Sequence, residues 1–231
     1  MKLRQDDYFV TGTDTEIGKT LVASALLIAL HKQGLSTAGM KPIAAGAELI
    51  AGVWHNDDVD RIIATSSVNC PTTLVCPYLM QTPAAPHIVA AVEQVEIAPA
   101  NIYAAYQTLT QRADAVIVEG VGGFCVPLTA DYDTAQMAND LALPVILVVG
   151  LRLGCINHAL LTAQAIQAKG LPLAGWVANT VDPQMAYQAE NIAALRERLQ
   201  APLLGYIPRL AVPDAQMAAE AAEFLDVNLL K

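Results

Sequence analysis

Between the apolar run Tyr8-Phe9-Val10 and the amphipathic helical run Leu21-Val22-Ala23-Ser24-Ala25-Leu26-Leu27 stands Thr11-Gly12-Thr13-Asp14-Thr15-Glu16-Ile17-Gly18-Lys19-Thr20. A glycine-bearing turn from strand to helix gathers backbone N–H groups into one concavity, where the helix dipole adds positive charge and phosphate oxygens fit. Lys19 supplies a full charge for the β- and γ-phosphates, and the Thr20 hydroxyl is placed to reach Mg²⁺. The usual spacing of glycine, four residues and Gly-Lys-Ser/Thr is missed by one position, because five residues separate Gly12 from Gly18 and Thr13 holds the first glycine's place. The order of strand, loop, lysine, hydroxyl and helix still predicts a bound nucleoside triphosphate with magnesium. The competing reading is a plain strand-to-helix turn with a chance Gly-Lys-Thr.

Short apolar runs alternate with segments of helical period along the rest of the chain. Strands are expected at 8–11, 37–41, 115–119, 145–150, 174–179 and 203–207. Helices are expected near 18–32, 58–64, 100–112, 134–140, 156–169, 185–199 and 215–224. Such alternation predicts a mostly parallel α/β sheet with helices on both faces. The apolar fraction of 54% with only 5% aromatic residues suits parallel strands buried on both sides. A length of 231 residues is compatible with one domain, taken here as 1–231. The stretch 69–99 breaks the pattern. It is rich in proline and threonine without a clear period, and reads as a functional loop with one short helix.

Composition also excludes classes of function. No apolar run reaches the roughly 18 to 20 residues that cross a bilayer, and Pro144 interrupts the longest. The N-terminus reads as a strand approach rather than a signal peptide, so a cytoplasmic protein is expected. Cys70, Cys76, Cys125 and Cys155 form no C-x-x-C pair and read as buried thiols. A net charge of −9 without a basic cluster argues against nucleic-acid binding.

In an open parallel sheet the carboxyl ends of the strands share one edge, and ligands sit outside it. Besides the phosphate loop, the runs end in Lys41 before Pro42, in Glu119 before Gly120-Val121-Gly122-Gly123, and in Asn179. Glu119 reads either as a magnesium ligand or as a cap for nearby N–H groups. Asp58, within Asp57-Asp58-Val59-Asp60, reads either as a ligand or as a residue favoured by the helix dipole. Lys41 alone could be a solvated lysine and Asn179 a turn residue. His87 and His158 lack partners at metal or triad spacing and read as structural. No Gly-x-Ser-x-Gly elbow or His-Glu-x-x-His helix is present.

Five stretches together resemble the ATP-dependent dethiobiotin synthase family: residues 12–20, Lys41-Pro42, Val118-Glu119-Gly120, Gly154-Cys155-Ile156-Asn157-His158 and Gly175-Trp176-Val177-Ala178-Asn179. The resemblance runs over nearly the whole chain. It implies closure of 7,8-diaminopelargonate with CO₂ into the ureido ring of dethiobiotin, driven by cleavage of ATP to ADP and phosphate. By that resemblance, Lys19 and Lys41 act on the γ-phosphate and a substrate carbamate, while Thr20, Asp58 and Glu119 hold Mg²⁺. ATP would further touch Thr15, Glu16, Ile17, Gly18, Leu21, Gly120, Val121 and Gly122. Asn179, Thr180, Pro208, Arg209 and Leu210 match the stretches around the nucleobase. Asn157, at the start of a helix, would meet the substrate carboxylate from a second subunit, which implies a homodimer.

The departures fall on the substrate side. Ala45 stands where the family usually carries serine or threonine, and Asn191 stands where it carries a tyrosine, with Tyr187 one turn earlier. A ligase acting on another amine is therefore a rival reading. So is a dimeric ATPase switch of the chromosome-partitioning type, although its usual second lysine near the loop start is missing here.

Overall fold

The computed structural model describes residues 6–230; the stretch Met1 to Gln5, read above for a signal peptide, and Lys231 lie outside the described residues. Strand β1 (Tyr8–Gly12) runs through the phosphate loop into helix α1 (Lys19–Lys32), which returns to β2 (Thr37–Met40). Short elements follow: β3 (Ile43–Ala44), the hairpin β4 (Glu48–Ile50) and β5 (Val53–His55), α2 (Asp57–Thr65), α3 (Thr72–Val75), β6 (Tyr78–Leu79) and α4 (Pro86–Glu93). After α5 (Pro99–Thr110) the alternation resumes with β7 (Ala115–Glu119), α6 (Thr134–Leu141), β8 (Val145–Leu151) and α7 (Cys155–Ala168). It closes with β9 (Leu173–Thr180), α8 (Gln188–Arg198), β10 (Leu203–Ile207) and α9 (Asp214–Ala222).

Six strands form one sheet in the order β10-β9-β8-β1-β7-β2, and every pair is parallel. β1 lies between β7 and β8, so the chain builds outward on both sides of it and the strand order switches beside the phosphate loop. That switch opens a crevice at the carboxyl edge. The runs predicted as strands all lie in this sheet, and β1, β2, β7 and β8 are buried along their whole length. Burial on both faces is why they read as continuous apolar runs.

Three expectations are corrected. Helix α1 is buried almost all round, between the sheet, α2 and α9, rather than amphipathic. The stretch 69–99 holds α3, β6 and α4, and β6 pairs with β3. Two-residue strands leave no period to read, and Pro86 and Pro99 open helices at positions where a proline costs nothing. Cys70, Cys76 and Cys155 are buried, but Cys125 is exposed, and all four are free thiols.

The edge strand β2 is fastened by the end of α2. Thr37 N donates to Ser67 Oγ at 2.7 Å and Gly39 N donates to Ser66 Oγ at 2.9 Å. The Ser67 and Val68 N–H groups in turn donate to Thr37 O. Helix α2 can lie this close only because residue 39 is glycine: a Cβ there would sit 2.3 Å from Ile62 Cγ2. The helix therefore starts beside the end of β2, its first turn capped by Asn56 and bearing Asp57, Asp58 and Asp60. The Ser66→Ala substitution should cost about 1–2 kcal/mol of unfolding free energy, since it strands the Gly39 N–H. Urea unfolding measures this, and an unchanged midpoint would show that the edge is held by other contacts.

Candidate active site

Thr20 opens the cluster. It is the second residue of α1, and its Oγ1 lies 2.7 Å from Asp58 Oδ1 and 2.8 Å from Glu119 Oε1. A hydroxyl has one proton, so it can donate to only one of the two carboxylates at a time. Glu119 Oε2 is buried and has no hydrogen-bond partner. One hydroxyl and two carboxylates thus converge from α1, α2 and β7 with more acceptor capacity than protons. This suits a hard cation that takes a few protein oxygens and completes its shell from phosphates and water, as Mg²⁺ does.

Lys41, the residue after β2, is buried and stands on the other side of the same carboxylates. Its Nζ lies 2.5 Å from Glu119 Oε1, 3.0 Å from Asp58 Oδ2 and 3.4 Å from Gly120 O. Burial alone would pull its pKa down, but the attraction of Glu119 and Asp58 outweighs that and holds Lys41 above the usual lysine value. Asp58 is pushed up by burial and pulled down further by Lys41 and the Thr20 hydroxyl, so it stays ionised.

Lys19 has no such carboxylate contact. Its Nζ donates to Asp14 O at 2.7 Å, across the interior of the loop. Burial, with repulsion from Lys41, pulls it down to about 8. The loop is steadied from both flanks. The Asp14 carboxylate accepts from Thr15 N and pairs with Arg152, in the turn after β8. Asn179, near the end of β9, donates from Nδ2 to Ile17 O at 2.8 Å, so it acts on the loop rather than as a turn residue. Gly18 has φ +87°, and a Cβ on it would lie 2.3 Å from Asn179 Nδ2. Both facts restrict that position to glycine.

A cavity of about 580 Å³ is lined by Thr15, Glu16, Gly18, Lys19, Thr20 and Leu21 on the loop side, and by Lys41, Ala45, Asp58, Glu119, Val121 and Gly122 opposite. A second, of about 350 Å³, carries Asn179, Thr180, Pro208, Arg209 and Leu210. Ile17 and Gly120 lie behind these walls, contributing their carbonyl oxygens to Asn179 and Lys41. Asn157 does not join them. It is exposed in the first turn of α7 and lines neither cavity of its own chain. Tyr187 is 74% exposed just before α8, where its carbonyl accepts from Asn191 Nδ2. His87 and His158, expected to be structural, are exposed on α4 and α7.

Sequence reasoning missed Ala44, Asn56, Arg61, Pro83 and Ala84 in the larger cavity, and Val181 and Met217 in the smaller. Asn56 was detectable as the cap preceding an acidic first turn, and Arg61 as the residue one turn beyond Asp58 on the same helical face. Pro83 and Ala84 belong to the stretch that lacked a period.

An open parallel sheet with a phosphate loop at its switch point, faced by a lysine and two carboxylates, defines an ATP- and magnesium-dependent P-loop enzyme. An AAA domain family model matches residues 6–216. The chain is 59% identical to the ATP-dependent dethiobiotin synthetase BioD of Aromatoleum aromaticum, over 92% of this chain and 95% of that one. It is 54% identical to the synthetase of the same name from a Janthinobacterium species, over 96% and 94%. The chain belongs to the ATP-dependent dethiobiotin synthetase family. The septum site-determining protein MinD of Pyrococcus horikoshii, solved with Mg-ADP, shares the fold at a TM-score of 0.54 and 16% identity, covering 96% of this chain and 88% of that one. At that identity the likeness concerns the fold alone.

A lysine at about 8 in the free protein will be raised by the phosphates of ATP, so binding near pH 8 takes up a proton. Affinity is then fully present below pH 8 and falls as the pH rises through 8 toward the value in the complex. Titration calorimetry at pH 8 in two buffers of unlike ionisation enthalpy should show uptake of about half a proton. No proton uptake by the wild-type protein at pH 8 would show that Lys19 is already fully charged before ATP binds.

Proposed function

We infer that this chain catalyses the ATP- and Mg²⁺-dependent carboxylation and ring closure of 7,8-diaminopelargonate with CO₂, yielding dethiobiotin, ADP and phosphate. The observation that carries the reading is Lys41. It is buried against Glu119 and Asp58 beside the phosphate loop, in a chain more than half identical to dethiobiotin synthetases.

The reaction needs no covalent help from the protein. One substrate amine takes up CO₂ as a carbamate, and the γ-phosphoryl group passes to a carbamate oxygen as ADP leaves. The second amine then attacks the carbonyl carbon and displaces phosphate, closing the ureido ring. Every stage places anionic oxygens close together, so catalysis rests on positioning and charge neutralisation. Lys19 holds the β- and γ-phosphates. Lys41, kept protonated by its two carboxylates, faces the carbamate and the transferring phosphoryl group. Thr20, Asp58 and Glu119 would hold Mg²⁺, which neutralises phosphate charge when bound. The nucleobase lies against Asn179, Thr180 and the Pro208-Arg209-Leu210 loop.

On the substrate side Ala45 presents a methyl group, while its carbonyl is engaged by Asn56 Nδ2 at 3.1 Å. The free N–H groups at the start of α7, with Asn157, suit the substrate carboxylate. Since they lie outside the cavity of their own chain, we assign them to the site of a second copy, in a cytoplasmic homodimer whose subunits are each one domain. The 93% exposure of Leu153, just before α7, supports an interface there.

Purified protein given the diamine, bicarbonate, Mg²⁺ and ATP should release dethiobiotin and ADP in equal amounts. No product despite ATP binding would refute the reading. Lys41→Ala should lower kcat by about 10²- to 10³-fold, the size of one lost electrostatic contact to a transition state, with ATP still bound. A near-normal rate would mean that Lys41 is not at the reacting centre.

A further inference from the structure

The two cavities meet at a waist formed by the residues that line both: Glu16, Gly18, Leu21 and Arg61. Arg61 is the single cation of the four. A nucleotide with its phosphates at Lys19 and Thr20 and its base at Asn179 to Leu210 must cross this waist at its α-phosphate and ribose.

Arg61 lies on α2 one helical turn beyond Asp58, on the same face. Its Nη2 donates to Asp214 Oδ2 at 2.8 Å, and Asp214 is the first residue of α9, whose Met217 lines the smaller cavity. A guanidinium carries five N–H donors in a rigid fork, so one bond to Asp214 fixes its direction and leaves others for a ligand. The pair contributes little as scaffolding, because both side chains are substantially exposed, at 43% and 62%.

Resting on the reading of these cavities as the ATP site, we propose that Arg61 is a nucleotide-contact residue, aimed across the waist by Asp214, that binds the α-phosphate of ATP. Asp214 is its positioning partner. The pair joins the helix that carries Asp58 to the one that borders the base, so the phosphate and base halves are gripped together.

Steady-state kinetics test this. Arg61→Ala should raise the KM for ATP about tenfold, the size of one charge-assisted hydrogen bond, with kcat and the KM for the diamine within about twofold of wild type. Arg61→Lys should recover part of the loss. Asp214→Asn should raise the KM for ATP less, and should add nothing in the Arg61→Ala background. Melting temperatures should match wild type, and Arg61→Gln replaces Arg61→Ala if the latter does not fold. A wild-type KM for ATP in Arg61→Ala, alongside lost ATP binding in Lys19→Ala, overturns the role of Arg61 but not the cleft. Unchanged ATP affinity in Lys19→Ala overturns both. Matching falls in kcat and melting temperature would make the pair scaffolding, and would equally overturn the proposal.

Discussion

Lys41 is held almost out of contact with water, and its ammonium survives there only because Glu119 and Asp58 face it. Taking a charge out of water costs several kcal/mol unless a partner of opposite sign stands close by. That requirement organises much of the molecule. β2 and β7 must be neighbours for Lys41 to meet Glu119, and α2 must press on β2 for Asp58 to reach them. The press is possible only where Gly39 leaves room for Ile62, and it is fixed by two serine hydroxyls on the strand's outer N–H groups. The site is assembled by the same contacts that finish the edge of the sheet.

The parallel sheet was legible because its strands are apolar on both faces, and the ends of those strands pointed to Lys41, Glu119 and Asn179. Residue type and position alone did not single Asp58 out from the acidic run 57–60; only the family resemblance did. Any carboxylate in a first helical turn is favoured by the dipole, and only the packing of α2 turns Asp58 toward Thr20 while Asp57 and Asp60 stay exposed. Arg61 was passed over for a similar reason: its place one turn beyond Asp58 was readable, but a lone arginine on a helix face ordinarily meets water. Pro83 and Ala84 could not be placed because their segment is ordered by the pairing of β3 with β6, a contact between residues 35 apart in the chain that no local period encodes. The buried α1 was misread because the helix is enclosed by α2 and α9 as well as the sheet.

The fold is shared with septum-site proteins at low identity, so the sheet and loop alone do not decide between a switch and an enzyme. The decision lies in the residues opposite the loop. A lysine locked between carboxylates is suited to anionic intermediates that form between two bound substrates, and relatives at 54–59% identity are synthetases. The partitioning-switch reading is set aside on that ground. Ala45 places a small apolar surface in the cavity where a hydrogen-bonding side chain was expected, which leaves Lys41 as the polar group on that part of the wall among the predicted substrate-side residues.

Both margins of the sheet are covered. At β2 the outward N–H groups end on serine hydroxyls; at β10, Gly205 pairs with Leu225 and Leu204 O accepts from Asp226 N. A chain that is 54% apolar and rich in β-forming runs would otherwise offer two templates for recruiting strands from its neighbours. The engaged groups are ones that a strand from a neighbouring copy would otherwise pair with. The serines behind Lys41 therefore serve the open edge of the sheet as well as the site.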